Sequence, residues 1–495
     1  MRVKEVINYV DAQVQKLKIP DTISKLYRKS FNKKIKKITL IEPAPAGHNV
    51  FEFSNLPRLG LSIIGKILKN KGYDVEIYNL NAGKLNIKRF ITSDLIGISS
   101  ITPTIYEAYK LASKAKWLKI PVVIGGSHST FLPDEALTYA DFVVRGEGEK
   151  TIVELIDALN QNKPLYTIKG LSYKKDGKTF HNPPRELISD IDKLPAPDFS
   201  LIKNNPKFSQ MPILNSRGCP YNCYFCSVVP MFGRKYRFRM VDTVINEIKA
   251  KNPKKIFFYD DNFVANKKHT IELLTNMIKD KITVPWSAQV RISVGNDEKI
   301  VKLMKKANCT LIYAGLESIS QESLDSYNKH QTIDEITKGI STFHKYGIKV
   351  HGMFVFGADT DTIKTIRETA NFAIKNKIDT VQFSILTPFP GTRLYNDLEK
   401  ENRIFSKEWN LYDGHHTVFY PKNMSPYELQ LETFRAYKKF YSLTGSWSSF
   451  FKFNFYKSAI NLYARKVIRQ WTKANREFIK ELKILSGIKP VFVQP

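Results

Sequence analysis

The sequence predicts an α/β protein in three parts: an N-terminal doubly wound parallel sheet, a central partial (β/α)6 barrel and a mainly helical C-terminal extension. Three observations carry this expectation. Short β-branched runs alternate with helical stretches twice, from Lys37 to about residue 160 and from Pro212 to about Lys400, and such alternation is the mark of parallel sheets. A proline-rich stretch, Leu194-Pro195-Ala196-Pro197-Asp198, separates the two series and reads as a boundary. Beyond about Glu401 the strand signals stop and an aromatic, basic pattern takes over.

The 495 residues, 42% of them hydrophobic, suffice for two or three cores. In residues 1–36, Val3, Val6, Ile7, Val10, Val14 and Leu17 recur at helical spacing among lysines, which predicts a basic amphipathic helix. A helix packed on its own domain is the plainer alternative. Residues 37–160 hold five strand candidates, Ile38–Glu42, Val75–Tyr78, Asp94–Ser99, Val122–Gly125 and Phe142–Val144. Turn signals at Lys175–Gly177 and Asn182–Pro184 within residues 161–210 predict a hairpin and then a rigid linker. Residues 211–400 hold six strand candidates, Ile213–Ser216, Lys255–Tyr259, Val284–Val290, Leu311–Ala314, Val350–Phe356 and Thr380–Leu386. Residues 401–495 read as mostly helical.

Lys and Arg number 77 against 47 Asp and Glu, a difference of +30, so the surface attracts a polyanion, nucleic acid or anionic lipid. Of the four cysteines, three crowd into Cys219–Cys226. That is too close for a disulfide framework and suits a metal site in a reducing compartment, so a cytoplasmic protein is expected. The chain shows neither a secretory signal pattern nor an apolar run near the roughly 18 residues that span a bilayer. Membrane contact would then be peripheral, on the inner face of the cell membrane.

Gly218-Cys219-Pro220-Tyr221-Asn222-Cys223-Tyr224-Phe225-Cys226 has the spacing C-x(3)-C-x(2)-C directly after a strand candidate. Three soft thiolates converging in one loop suit an iron–sulfur cluster with one iron left open, whereas structural zinc takes four protein ligands. The competing reading is a zinc knuckle completed by a distant histidine or by Cys309, although Cys309 follows a helical stretch and reads as a buried small residue.

On this motif, residues 212–400 resemble the radical S-adenosylmethionine superfamily. The resemblance implies a 4Fe-4S cluster on Cys219, Cys223 and Cys226, with S-adenosylmethionine chelated to the open iron. An external one-electron reductant, of flavodoxin or ferredoxin type, then triggers cleavage to a 5′-deoxyadenosyl radical. Tyr259-Asp260-Asp261-Asn262-Phe263, Gln289 with Arg291, and Gly315-Leu316-Glu317-Ser318 end successive strand candidates, where barrel sites are built. By resemblance, Glu317 and Ser318 hold the methionyl or ribose part of the cofactor and Phe225 lies near its adenine; loop caps and hydrogen-bonded turns are the structural alternatives. Gly352–Gly357 and Thr387–Thr392 are similar to late barrel segments of members that carry a cobalamin domain.

In the N-terminal sheet the ligand loops should follow the strands: Ser99–Thr104, with Ser100 and Thr102; Gly125–Thr130, with Gly125 and Gly126; and Arg145–Gly148, with Gly146 and Glu147. Residues 37–160, before the cysteine loop, resemble the cobalamin-binding domain of that subclass. The D-x-H-x-x-G motif that supplies a histidine to cobalt is absent; His128 reads as a loop or pocket residue, and a degenerate domain without cobalamin is the alternative.

Phe450 to Trp471 intersperses aromatics with Lys452, Lys457, Arg465, Lys466 and Arg469, a mixture suited to a membrane interface or, equally, to ordinary core packing with solvated charges. Asp413–Met424 resembles the C-terminal extension of hopanoid methylases and archaeal tetraether-lipid ring synthases. That resemblance implies a membrane lipid or isoprenoid substrate, methylated or cyclised by carbon–carbon bond formation. Two other readings stand beside it: a transfer-RNA methyltransferase or methylthiotransferase, against which no added cysteine cluster or RNA-binding module is seen, and a non-catalytic metal-stabilised binding protein.

Overall fold

The computed structural model describes residues 34–46, 56–204, 208–442 and 455–487. The expected N-terminal helix and residues 447–454 of the aromatic run lie outside them. The chain divides into two compact units, one of residues 1–46 and 52–209, the other essentially Gln210–Pro495.

The first unit is built on strands β1 (Lys37–Glu42), β2 (Asp74–Asn79), β3 (Leu95–Ser99), β4 (Val122–Gly125) and β5 (Phe142–Val144). They pair in parallel in the order β2-β1-β3-β4-β5. Leu95, Ile96, Val122 and Ile124 are fully buried, as β-branched runs covered on both faces must be. Because the order reverses at β1 and crossovers are right-handed, helices fall on both faces: Leu59–Asn70 packs with Gly148–Gln161, and Ile105–Trp117 with Pro133–Tyr139. The sheet has seven strands rather than five. The expected hairpin, β6 (Leu171–Lys175) and β7 (Lys178–His181), docks antiparallel on β5. A turn signal shows that a hairpin forms but not which edge it joins. The proline-rich stretch is fastened to this unit too, since Asp198 N donates to Ser62 O at 3.3 Å and, just beyond it, Lys203 N donates to Ile77 O at 2.9 Å.

The second unit is a half-barrel of six parallel strands, in the order β15-β14-β13-β12-β11-β8. These are β8 (Met211–Ile213), β11 (Ile256–Phe258), β12 (Trp286–Val290), β13 (Cys309–Glu317), β14 (Lys349–Phe356) and β15 (Thr380–Ile385). The first barrel strand ends at Ile213, three residues earlier than expected. Ser216–Arg217 (β9) instead pairs antiparallel with Arg237–Phe238 (β10) as a separate ribbon. Along β14, Val350, Gly352, Phe354 and Phe356 are buried while His351, Met353 and Val355 are half-buried, so one face meets the outer helices and the other lines the concave side.

The C-terminal extension is helical as expected. Ser425 closes a capping box with Glu428 on the helix Pro426–Phe440, which satisfies its first amides. That helix lies on Ile363–Lys375 and β15, tied by Arg367 to Glu432 at 2.8 and 2.9 Å and by Tyr437 Oη accepting from Phe383 N at 2.9 Å. Trp471 is buried against Phe434, with ring centroids 4.4 Å apart. Leu462, Tyr463 and Ile484 are exposed. The tail thus serves both as core and as surface.

Candidate active site

The cysteine loop leaves β9 through Gly218, whose φ of +88° suits glycine and whose Cβ would lie 2.7 Å from Lys235 O. Cys219 N then donates to Gly233 O (3.4 Å) and Cys226 N to Cys223 O (3.2 Å). The loop is seated on segments that follow barrel strands. Asn222 O accepts from Asn328 Nδ2 (2.8 Å) and Arg393 Nη2 (2.7 Å). Tyr224 N donates to Tyr327 O (3.0 Å), and the Tyr224 hydroxyl donates to Asp397 Oδ2 (2.8 Å). The three cysteines therefore sit at the carboxyl end of the half-barrel, where barrel sites are built.

All three are free and half-buried. Burial pushes the Cys219 thiol up, and burial with the neighbouring Cys223 and Asp261 pushes Cys226 up to about 12. Cys219 and Cys226 therefore favour the protonated thiol until a cation of high charge binds and draws them into thiolate form. Three soft donors on one loop fit an iron–sulfur cluster. The described residues contain no ready-made cage of three or more His, Cys, Asp or Glu side chains for a single ion. Cys309 is fully buried at the start of nine-residue β13, at the far end of that strand from Glu317, so it does not complete a zinc site.

The end of β13 supplies the second half of the site. Its pairing with β14 slips between Gly315 and Glu317, and Glu317 adopts a left-handed φ of +61°, unusual for a non-glycine residue. The slip turns the Glu317 carboxylate onto Lys329 Nζ at 2.5 Å, both side chains being buried. Any Cβ on Gly315 would lie 2.3 Å from Glu317 Oε1 and 2.8 Å from Lys329 Nζ. The Arg291 guanidinium lies 3.9 Å above the Tyr221 ring and donates to Lys329 O and His330 O. Arg291 Nε and Gln331 Oε1 are buried without a hydrogen-bond partner among the described residues. A carboxylate, an ammonium and unsatisfied polar atoms beside the cysteine loop fit a zwitterionic ligand such as S-adenosylmethionine. Phe225 meets Tyr327 edge-on at 5.0 Å. Ser318 Oγ accepts from Ser320 N at 3.1 Å, and Gln289 O from Phe263 N at 2.9 Å.

Lys329 and Gln331 escape sequence reading because they lie in a polar loop without periodicity, and Tyr221, although inside the cysteine motif, carries no local sign that Arg291 stacks on its ring. Asp260 stands after β11 in a fully enclosed network, with half-buried Asp261 beside it. Asp260 Oδ1 accepts from Ser216 Oγ and from Asn215 Nδ2 (3.3 Å), whose Oδ1 in turn lies 2.9 Å from His269 Nε2. Burial first, and then the Asp261 charge, raise the Asp260 carboxyl to about 7 from its ordinary 3.8. The folded state thus holds this proton more tightly than the unfolded chain. Its contribution to stability is complete below about pH 4 and is lost as pH rises through about 7. Asp260→Asn should flatten the fall of the metal-free protein's melting temperature across that window, as thermal melts at stepped pH will show.

In the first unit the three expected loops come together at the carboxyl ends of β3, β4 and β5. Ser100 N donates to Gly125 O (3.0 Å), Ser100 Oγ pairs with Thr104 Oγ1 (2.8 Å), and Gly146 N donates to Thr130 Oγ1 (3.0 Å). A Cβ on Gly146 would meet open space, a rim that a flat macrocycle can approach, so small residues here fit cobalamin. Glu147 points elsewhere: its carboxylate accepts from Ile188 N at 2.6 Å and fastens the chain after the hairpin. His128 is fully buried between Thr102 Oγ1 (3.3 Å) and Glu135 Oε1 (3.4 Å). At Gly126 φ is +106° and a Cβ would lie 2.1 Å from Ser100 O. Gly126→Ala should therefore destabilise the first unit by at least about 2 kcal/mol, read by urea unfolding, and lower cobalamin retention after gel filtration.

A parallel sheet with glycine-lined loops, and a half-barrel with three cysteines at its mouth, define an α/β enzyme that works through bound cofactors. Residues 213–373 match the radical SAM superfamily and residues 53–156 the B12 binding domain. An uncharacterised methyltransferase of Pyrococcus horikoshii is 35% identical over 405 residues, 78% of this chain and 88% of that protein. Bacteriochlorophyllide d C-12(1)-methyltransferase of Chlorobaculum tepidum is 32% identical, over 74% of this chain and 78% of that protein. Hopanoid C-3 methylase of Methylococcus capsulatus is 24% identical, over 77% and 76%. The cobalamin-dependent S-adenosylmethionine radical enzyme OxsB shares the fold at a TM-score of 0.67 and 17% identity, over 90% of this chain and 72% of that one. The chain belongs to the radical S-adenosylmethionine superfamily, in the subclass with an N-terminal cobalamin-binding domain. It is an enzyme of C-methyltransferase or carbon–carbon bond-forming type, with a 4Fe-4S cluster, S-adenosylmethionine and cobalamin as cofactors.

Proposed function

We propose that the enzyme methylates, or joins through a new carbon–carbon bond, an unactivated carbon of a lipid or isoprenoid, working at the cytoplasmic face of the membrane. When bound, the cluster and S-adenosylmethionine supply a 5′-deoxyadenosyl radical and cobalamin supplies a transferable methyl group. In this reading Cys219, Cys223 and Cys226 hold the cluster, and Glu317 with Lys329 and Ser318 orients the methionyl and ribose groups. Gln289 and Arg291 wall the site, Phe225 lies against the adenine, and the loops at Ser100, Thr102, Gly125, Gly126 and Gly146 cradle cobalamin.

The observation that carries the lipid reading is the helix Phe455–Ala474. It contains no acidic residue, exposes Leu462 and Tyr463, and shows Lys466, Arg469 and Lys473 to solvent. Apolar side chains beside cations suit an anionic bilayer surface, at about 1 kcal/mol per well-placed Lys or Arg. Among the described residues no helix is long and apolar enough to cross a membrane. The hopanoid methylase relative supports the same substrate class. The greater identity to a bacteriochlorophyllide methyltransferase favours a second reading, a tetrapyrrole substrate.

The test is to incubate the anaerobically reconstituted enzyme with methyl-deuterated S-adenosylmethionine and extracts of a deletion strain, and to compare that strain's lipids with its parent's. Label or loss in the lipid fraction is expected. Label confined to pigments would favour the tetrapyrrole, and unchanged lipids with altered transfer-RNA nucleosides would overturn both.

A further inference from the structure

The superfamily needs an electron from outside, and the face that receives it is not specified by that requirement. We infer that the surface formed by residues 228–240 and the start of the helix Arg393–Lys400 docks a small acidic one-electron carrier protein. The inference stands apart from the choice of substrate.

Proximity is the first argument. The chain from Phe232 to Lys235 packs directly on the first cysteine: Cys219 N donates to Gly233 O at 3.4 Å, and Gly218 lies against Lys235 O. A protein seated there is separated from the cysteine loop by a single layer of chain.

Charge is the second. From Ser227 to Met240 there are four basic residues and no acidic one. Two of them turn inward: Arg237 donates to Phe232 O at 3.0 Å, and Arg239 is buried against Glu247. Arg234 and Lys235 remain exposed, and exposed Arg393 joins them across the loop. Arg234 caps Pro220 O at 3.4 Å and Arg393 caps Asn222 O at 2.7 Å, so cations flank both sides of the cysteine loop. Of the nearby carboxylates, Asp397 is engaged by the Tyr224 hydroxyl and Glu399 by Lys407, while Asp242, two residues beyond Met240, is exposed.

The third argument is an apolar centre. Phe238 is 42% and Met240 64% exposed beside those cations. Apolar side chains rimmed by one sign of charge suit a transient partner that must arrive fast and leave, with steering by the opposite charge. In the docked complex one electron leaves the reduced carrier, which is oxidised by one electron, and enters the cluster. No bond is made or broken and no proton moves.

The test uses the cluster-reconstituted enzyme, a flavodoxin of strongly negative charge, and the double variant Lys235→Glu/Met240→Asp. Asp is well tolerated at Met240, which is the N-cap of the helix Val241–Lys251. Flavodoxin affinity should fall about tenfold and lose its dependence on ionic strength. Flavodoxin-driven 5′-deoxyadenosine formation should fall with it at subsaturating carrier, while dithionite-driven formation and the cluster's absorption stay as in the parent. Parental affinity and flavodoxin-driven rate in the variant would overturn the inference. So would an equal loss with dithionite, because the patch would then be supporting the loop rather than receiving a partner.

Discussion

Cys223→Ala is expected to leave a folded protein that holds no cluster and forms no detectable 5′-deoxyadenosine from S-adenosylmethionine under dithionite. The side chain lost is one of only three thiols on the loop, and two thiolates do not retain a four-iron cluster. The fold should survive, because the loop's turn uses the Cys223 carbonyl, which accepts from Cys226 N at 3.2 Å, and Ala keeps that carbonyl. Anaerobic reconstitution followed by absorption spectroscopy, with iron and sulfide counted per chain, reads the first effect. Product analysis reads the second. Full turnover by this variant would sink the assignment of the site.

Lys329→Met should be nearly as severe by a different route. Its ammonium is the partner of Glu317, and both side chains are buried. Removing one member of a buried pair strands the other charge, at a cost of about 3–5 kcal/mol. Urea unfolding measures that loss. Glu317→Gln/Lys329→Met removes both charges and should recover most of the stability. It should not recover S-adenosylmethionine binding, measured by calorimetry on the reconstituted enzyme, if the pair meets the zwitterion directly. Normal binding by the double variant would make the pair an internal brace and no more.

Sequence reading goes far where local chemistry decides the outcome. β4 and β5 begin and end at the residues expected of them, Val122–Gly125 and Phe142–Val144. It fails where a distant partner decides. Leu214, Asn215 and Ser216 continue an extended run after β8, yet Ser216 pairs with Phe238 and leaves the barrel. No local preference distinguishes a barrel strand from a ribbon. The site divides in the same way. The cysteine spacing declares itself, and Glu317 stands out as a carboxylate ending a strand. Lys329, twelve residues on in a polar loop, becomes part of the site only through the ion pair. Glu147 lies in the expected loop, but its carboxylate is taken by Ile188 N, a contact across 41 positions that no local pattern encodes.

The alternating burial along β14 carries over to β15, where Val381, Phe383 and Ile385 are buried and Gln382 and Ser384 are half-buried. Each strand therefore separates its duties residue by residue. Every second side chain pays for folding by packing on the helices, and the intervening ones, among them His351, Met353 and Gln382, are released from that duty. Mutation can explore this second set without unravelling the first. The half-barrel is thus evolvable by design of its pleat: one stable chassis can be retuned to a new molecule by a handful of inward-facing changes, while the cysteine loop and its electron supply stay as they are.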